Sequence, residues 1–263
     1  MITFIENKKD KIFLRQEIKN DSTTAILLIH GLAEHSGRYD DFIKDLTNAN
    51  ISVFAMDLRG HGQTQSKRGD CKNIQQVLTD VELVVNYIKT NHNFKTFGIF
   101  GHSMGGLVTS LFASLSNQKL DFLVLSSPAI YLPEKLKIFK FLPYKICPFV
   151  KFTKRHSESE AMLKVSQNDP FALQKYSMRM IGVYFVDGVN LLNKKLNITC
   201  PVLLVCGKKD RLLYEQHFFD RFFEKLSNPN KKYISYPDGN HRIVQNEGSE
   251  DRIKDIINWL KQF

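Results

Sequence analysis

The stretch Thr96-Phe97-Gly98-Ile99-Phe100-Gly101-His102-Ser103-Met104-Gly105-Gly106-Leu107-Val108-Thr109-Ser110-Leu111-Phe112-Ala113 decides how this chain folds. Its first five residues read as a buried strand, and the run from Gly106 reads as a helix. Between them stands Gly-x-Ser-x-Gly, centred on Ser103. Strand, sharp turn, helix is the setting of a nucleophile elbow. Such a turn has no room for side chains two residues either side of the serine, hence Gly101 and Gly105. The helix N-terminus behind Ser103 favours developing negative charge. A serine hydroxyl is a weak nucleophile without a base and an orienting carboxylate, so both must lie elsewhere in the chain.

Outward from the elbow, strand and helix patterns alternate. Residues 1–24 predict a hairpin with Lys8-Lys9-Asp10-Lys11 as its turn. Strands are predicted at Ala25–Ile29, Ile51–Met56, Phe122–Leu125, Val202–Cys206 and Lys232–Tyr236. Their continuous apolar runs suit strands buried on both faces. Helical spacing links Tyr39, Phe42, Ile43 and Leu46. The same spacing runs from Ile74 to Ile88, from Phe218 to Leu226 and from Ile253 to Leu260. The fold class is therefore α/β, with a mostly parallel central sheet and helices on both faces.

The alternation breaks over residues 128–199, which hold five of the eight prolines and read as short helical pieces. An insertion after a strand's C-terminal end lies over the ligand-binding edge of such a sheet. Residues 128–199 are thus expected as a cap between two parts of one core, 1–127 and 200–263.

The predicted acid and base follow late strands. Val202–Cys206 runs into Gly207-Lys208-Lys209-Asp210, and the last strand runs into Pro237-Asp238-Gly239-Asn240-His241. Ser103, Asp210 and His241 then stand in the order serine, acid, histidine. Asp238 is a weaker acid candidate, three residues before the histidine on the same loop; Asp187 and Asp169 fall in the insertion. Two backbone N–H groups are expected to form the oxyanion hole, Met104 after the nucleophile and Leu32 in the loop after Ile29. His30 and His102 read as loop-bracing residues. Arg59-Gly60-His61-Gly62 reads as a structural turn.

Composition excludes several classes. No run of 18 apolar residues suggests a membrane span, and the first ten residues lack a signal-peptide pattern, which predicts a cytoplasmic protein. Cys71, Cys147, Cys200 and Cys206 match no zinc spacing and read as reduced thiols. Glycine-rich phosphate loops and His-Glu-x-x-His are absent, so neither cofactor nor metal is expected. The net charge of +10 favours anionic partners. The lysines are scattered and no nucleic-acid-binding motif appears. In residues 136–152, apolar and aromatic side chains alternate with lysines and no acid intervenes, a composition suited to peripheral contact with a lipid interface.

The blocks His30-Gly31-Leu32-Ala33-Glu34-His35-Ser36-Gly37-Arg38-Tyr39, Asp57-Leu58-Arg59-Gly60-His61-Gly62, Gly101–Gly106, Gly207–Asp210 and Gly239-Asn240-His241 carry a resemblance. Together with Asn168-Asp169-Pro170, they resemble the monoacylglycerol lipases and lysophospholipases of the α/β-hydrolase superfamily. The resemblance implies an α/β-hydrolase fold with a helical cap, a Ser103–His241–Asp210 triad and an oxyanion hole from Leu32 and Met104. It further implies that Glu34 and Arg38 help to form a pocket for a polar glycerol head. The plainer reading of those two is an ion pair at i, i+4. Leu32 and Ala33 stand where monoacylglycerol lipases commonly have smaller residues, which implies a more crowded oxyanion loop. The implied reaction is cleavage of lipid carboxylic esters, foremost monoacylglycerol. A lysophospholipase, a general carboxylesterase, an acyltransferase and a catalytically silent lipid-binding protein are the rival readings.

Overall fold

Ala25, Leu27 and Ile29 pack into one layer of the core and Ile26 and Leu28 into the other, all five fully buried. A strand covered on both faces must be apolar at every position, which is why this run shows no alternation. The computed structural model describes residues 1–132, 149–151, 164, 166–213, 215–245 and 248–263. Its strands are β1 (Ile2–Asn7), β2 (Asp10–Glu17), β3 (Thr24–Ile29), β4 (Ile51–Met56), β5 (Thr96–His102), β6 (Phe122–Ser126), β7 (Phe149–Lys151), β8 (Lys175–Ser177), β9 (Val202–Gly207) and β10 (Lys231–Tyr236). Eight of them form one sheet in the order β1-β2-β4-β3-β5-β6-β9-β10, and β7 pairs with β8 in a separate ribbon. β2 runs antiparallel to β1 and β4; from β4 to β10 every neighbouring pair is parallel. The parallel strands all end on one edge, and that edge carries the site.

Helix α1 (Asp40–Asn48) and the closing helix cover one face, α2 (Ile74–Asn91) and α3 (Met104–Leu115) the other. Asn73 caps α2, its side-chain oxygen accepting from Gln76 N at 2.9 Å. Three consecutive segments, Met178–Ile181, Gly182–Gly188 and Val189–Lys195, form one rod, α4, whose middle segment is wound as a π-helix. Ser177 caps this rod, accepting from Met180 N at 3.0 Å. Helix α5 (Gln216–Lys225) and α6 (Glu250–Leu260) complete the layers. Val81, Leu107, Leu111, Val183 and Phe219 share one core layer; Phe42, Phe100, Ile256 and Trp259 share the other.

The structure departs locally from the sequence expectations. The hairpin turn is only Lys8-Lys9, because Asn7 already pairs with Asp10 and Glu6 with Lys11. Lys8 takes φ 58°, which lets two residues close the turn. Tyr39 ends a short 3₁₀ turn, Ser36–Tyr39, ahead of α1. Within 128–199, the described part is not only short helical pieces: it holds the ribbon β7–β8 and the long rod α4. Met180, Val183, Tyr184 and Leu192 of that rod are buried in the same layer as α3. The lysine-interleaved segment 136–152 lies outside the described residues except for 149–151, and Cys147 lies outside them too. Cys71, Cys200 and Cys206 are free thiols. Among the described residues no helix is long and apolar enough to cross a membrane.

Helix α3 packs directly on the backbone of β3. A Cβ on Gly105 would overlap the Ile29 and His30 carbonyl oxygens, and one on Gly101 would overlap Thr109 Oγ1. Gly105→Ala is expected to push α3 off β3 and to lower unfolding free energy by ~1–3 kcal/mol or more. Urea denaturation read by circular dichroism checks this; an unchanged midpoint refutes the close contact.

Candidate active site

Each candidate residue sits on a loop leaving the carboxyl edge of the sheet. Ser103 follows β5 with φ 53° and ψ −118°, a backbone that a non-glycine residue holds only under constraint. The constraint comes from both sides. Ser103 N donates to Ser126 O at 2.9 Å, and Ala129 N donates to Ser103 O at 2.9 Å. The hydroxyl is thereby held at the mouth of α3.

His241, on the loop after β10, brings Nε2 to 2.9 Å from Ser103 Oγ. Its Nδ1 lies 2.7 Å from Asp210 Oδ2. With Nδ1 carrying the proton toward Asp210, Nε2 is left to accept from the serine hydroxyl. Asp210 Oδ1 accepts from Leu212 N at 2.8 Å and Leu213 N at 2.9 Å. Burial pushes the Asp210 carboxyl up, but His241 and those two N–H groups outweigh it and hold it below the usual carboxylate range. Ser103, Asp210 and His241 are each at most 8% exposed. Three residues spread over 138 positions of the chain thus form one connected hydrogen-bonded chain.

The loop after β3 lies against this chain: a Cβ on Gly31 would stand 3.3 Å from Ser103 Cβ. Leu32 follows at the turn, and Met104 is the first residue of α3, where an N–H has no carbonyl four residues back to bond. His30 braces this loop. Its Nδ1 donates to Gly31 O at 2.7 Å and its Nε2 accepts from Leu58 N at 3.0 Å. Burial lowers the His30 pKa, and it holds His102 at about 3, so both rings stay neutral. His102 packs beside His241, ring centres 4.9 Å apart.

Glu34 and Arg38 do not pair with each other. Glu34, only 4% exposed, accepts from Tyr39 OH at 2.8 Å and Gly31 N at 3.3 Å, and its other oxygen meets Arg242 Nη2 at 3.1 Å. Burial would raise its carboxyl; Arg242 above all, with the Tyr39 hydroxyl, holds it well below the usual range. Arg38 reaches the insertion instead, with Nε 2.7 Å from Asp169 Oδ2 and Nη2 donating to Ser166 Oγ at 3.0 Å. His35 Nε2 meets the same Asp169 oxygen at 2.9 Å. The ion pair expected from i, i+4 spacing is therefore replaced by two separate ones. Residue 34 is not helical: Ala33 stands at φ 62° and the helical turn starts only at Ser36.

Of the other acids, Asp238 faces solvent and pairs with Arg252 at 3.1 Å, Asp169 is held by His35 and Arg38, and Asp187 lies within α4. Two contributors escape the sequence reading. Asp57 accepts from Ser36 N at 2.7 Å and Gln63 N at 2.8 Å, tying the loop after β4 to the loop after β3. Arg242 is the other. Only adjacency to His241 marked it, and adjacency gives no direction. Arg59-Gly60-His61-Gly62 is structural: Arg59 grips Asp80 through Nε at 2.8 Å and Nη2 at 2.7 Å.

Comparison with known proteins gives the family and the fold. A family model described as Serine aminopeptidase, S33 matches residues 20–248. The chain belongs to that family. It is similar to monoglyceride lipase of Rattus norvegicus, with 28% identity over 197 residues, 71% of this chain and 65% of that protein. The chain thus spans just under two thirds of the rat relative. Against monoglyceride lipase of Homo sapiens the identity is 25% over 250 residues, 90% of this chain and 82% of that one. Among solved structures, the Paleococcus ferrophilus monoacylglycerol lipase superposes with a TM-score of 0.82 at 26% identity, covering 95% of this chain and 98% of that one. By family and by fold the chain is an α/β-hydrolase.

Glu34 and Asp210 both bind protons less readily folded than unfolded. Their stabilisation is complete above the unfolded carboxylate pKa of about 4 and is lost as pH falls through the depressed native values. The thermal midpoint is therefore expected to fall steeply below pH ~4. Glu34→Gln should flatten part of that slope; an identical slope in the variant counts against the buried carboxylate.

Proposed function

We propose that the protein is a serine esterase that cleaves carboxylic esters of lipids, foremost monoacylglycerol to fatty acid and glycerol. The observation that carries this is the Ser103–His241–Asp210 chain of hydrogen bonds on a strained elbow. Similarity to monoglyceride lipases over most of the chain supports the substrate class.

Ser103 Oγ attacks the ester carbonyl as His241 Nε2 takes its proton. Asp210 keeps Nδ1–H oriented and stabilises the imidazolium. The carbonyl oxygen becomes an oxyanion, met by the N–H groups of Leu32 and Met104 and by the N-terminus of α3. Collapse expels the alcohol, which takes the proton from His241 and leaves an acyl-Ser103. His241 then draws a proton from water, hydroxide adds to the acyl carbon, and the acid leaves as Ser103 recovers its proton. No step in this scheme requires a metal or a cofactor.

The buried Glu34 carboxylate acts behind the oxyanion loop, while Arg38 stands at the border with the insertion, which serves as the cap.

Two experiments test the reading. Fatty-acid release is measured from one acyl chain carried on glycerol, on lysophosphatidylcholine and on p-nitrophenol. Preference for the glycerol ester supports the proposal, and preference for the lysophospholipid replaces it with a lysophospholipase. Ser103→Ala should abolish release and fluorophosphonate labelling with circular dichroism unchanged; retained turnover refutes the assignment. In the second experiment Asp210→Asn is expected to lower kcat ~10⁴-fold, while the exposed Asp238→Asn stays within about twofold, as surface changes do. Equal losses would deny Asp210 its role.

A further inference from the structure

Arg242 follows the candidate base directly, and its guanidinium turns back beneath the site to the Glu34 carboxylate at 3.1 Å. Glu34 in turn holds Gly31 N, and the Gly31 peptide leads into Leu32. One ion pair, 6% exposed on the acid side, therefore joins the loop that carries the base to the loop that carries an oxyanion donor. We infer that Arg242 is a positioning residue: through Glu34 it keeps the Gly31–Leu32 turn in register with His241 and Ser103. The inference rests on the proposed triad and oxyanion hole.

The electrostatics around Glu34 single out Arg242. The titratable groups facing it are Tyr39 on the 3₁₀ turn, His30 on its own loop, His61 after β4, His102 on β5 and Arg242 after β10. Burial lowers His30 and holds His61 and His102 at about 3, and it pushes the Tyr39 hydroxyl well up. None of those four carries charge at neutral pH. Among the described residues Arg242 is thus the cation that keeps Glu34 ionised, and an ionised Glu34 is the stronger acceptor for Gly31 N. A buried ion pair adds little net stability against a neutral substitute, so its use lies in fixing geometry.

The test compares wild type, Arg242→Gln, Arg242→Lys and the double variant Glu34→Gln/Arg242→Gln with p-nitrophenyl butyrate from pH 5 to 9. Loss of register is expected to cost Arg242→Gln ~10–100-fold in kcat with KM nearly unchanged, the scale of a displaced donor. Without its cation, burial raises the Glu34 carboxyl, so Arg242→Gln gains an ionisation beyond that of His241. Its rate then climbs with pH as Glu34 ionises. The double variant, with neither charge of the pair, loses that added limb, and Arg242→Lys recovers most of kcat. Arg242→Gln within twofold of wild type, or an equal loss in single and double variants at every pH, overturns the inference. If Arg242→Gln does not fold by circular dichroism, the lysine and double variants decide, since each keeps the buried charge balanced. Absence of Ser103-dependent hydrolysis in the wild type would instead refute the proposed function.

Discussion

Everything at the site depends on how closely α3 approaches β3. Glycine at 105 lets the helix backbone rest on the carbonyls of Ile29 and His30. That contact sets two things at once. It sharpens the strand-to-helix turn, so that Ser103 takes its positive φ. It also brings the helix N-terminus beside the loop after β3, where a Cβ on Gly31 would stand 3.3 Å from Ser103 Cβ. A side chain at 105 would relieve the strain and separate the helix from that loop together, because both follow from one distance.

The loops at this edge have no ladder of backbone bonds to fix them, and buried carboxylates take that task. Asp57 binds N–H groups of two loops, Glu34 binds Gly31, Tyr39 and Arg242, and Asp210 binds Leu212, Leu213 and His241. Asp169 receives His35, Arg38 and the N–H groups of Phe171 and Ala172. Asp70 accepts from Ser177 and Arg179, tying the loop after β4 to the start of α4. A carboxylate offers about four acceptor sites, so one side chain satisfies several orphan donors from different parts of the chain. Glu34, Asp57, Asp70 and Asp210 are buried and Asp169 is half-buried.

The elbow, the strand runs and the order of serine, acid and histidine were legible because each is local or nearly so. Apolar runs report burial on both faces, and a residue just past a strand end is placed by that strand. The plainer alternative for Glu34 and Arg38, an i, i+4 ion pair, does not form because that logic holds only within a helix, and Ala33 turns the backbone before the helical turn begins. Arg242 and Asp57 were illegible for a different reason. Their partners lie on other loops, and nothing in the spacing tells which way a loop side chain points. The rod α4 was hidden by its own composition: Gly182, Gly188 and a π-wound middle obscure the period of an ordinary helix.

Stitching by shared carboxylates has a consequence for how substitutions combine. Glu34 belongs both to the loop after β3 and, through Arg242, to the loop after β10; Asp210 belongs both to its own turn and to His241. Removing one partner leaves the other buried and uncompensated, a larger penalty than the bond was worth. Removing both restores balance at lower cost. Effects at this edge are therefore non-additive, and the sign of the deviation separates groups that share a network from groups that are merely close. Arg38 and Arg242 make the contrast concrete. Both are arginines that pair with a buried or half-buried acid, but Arg38 pairs across to the insertion and Arg242 across to the loop after β3. Coupling to Ser103 chemistry should run through the second, and coupling to the seating of the insertion through the first.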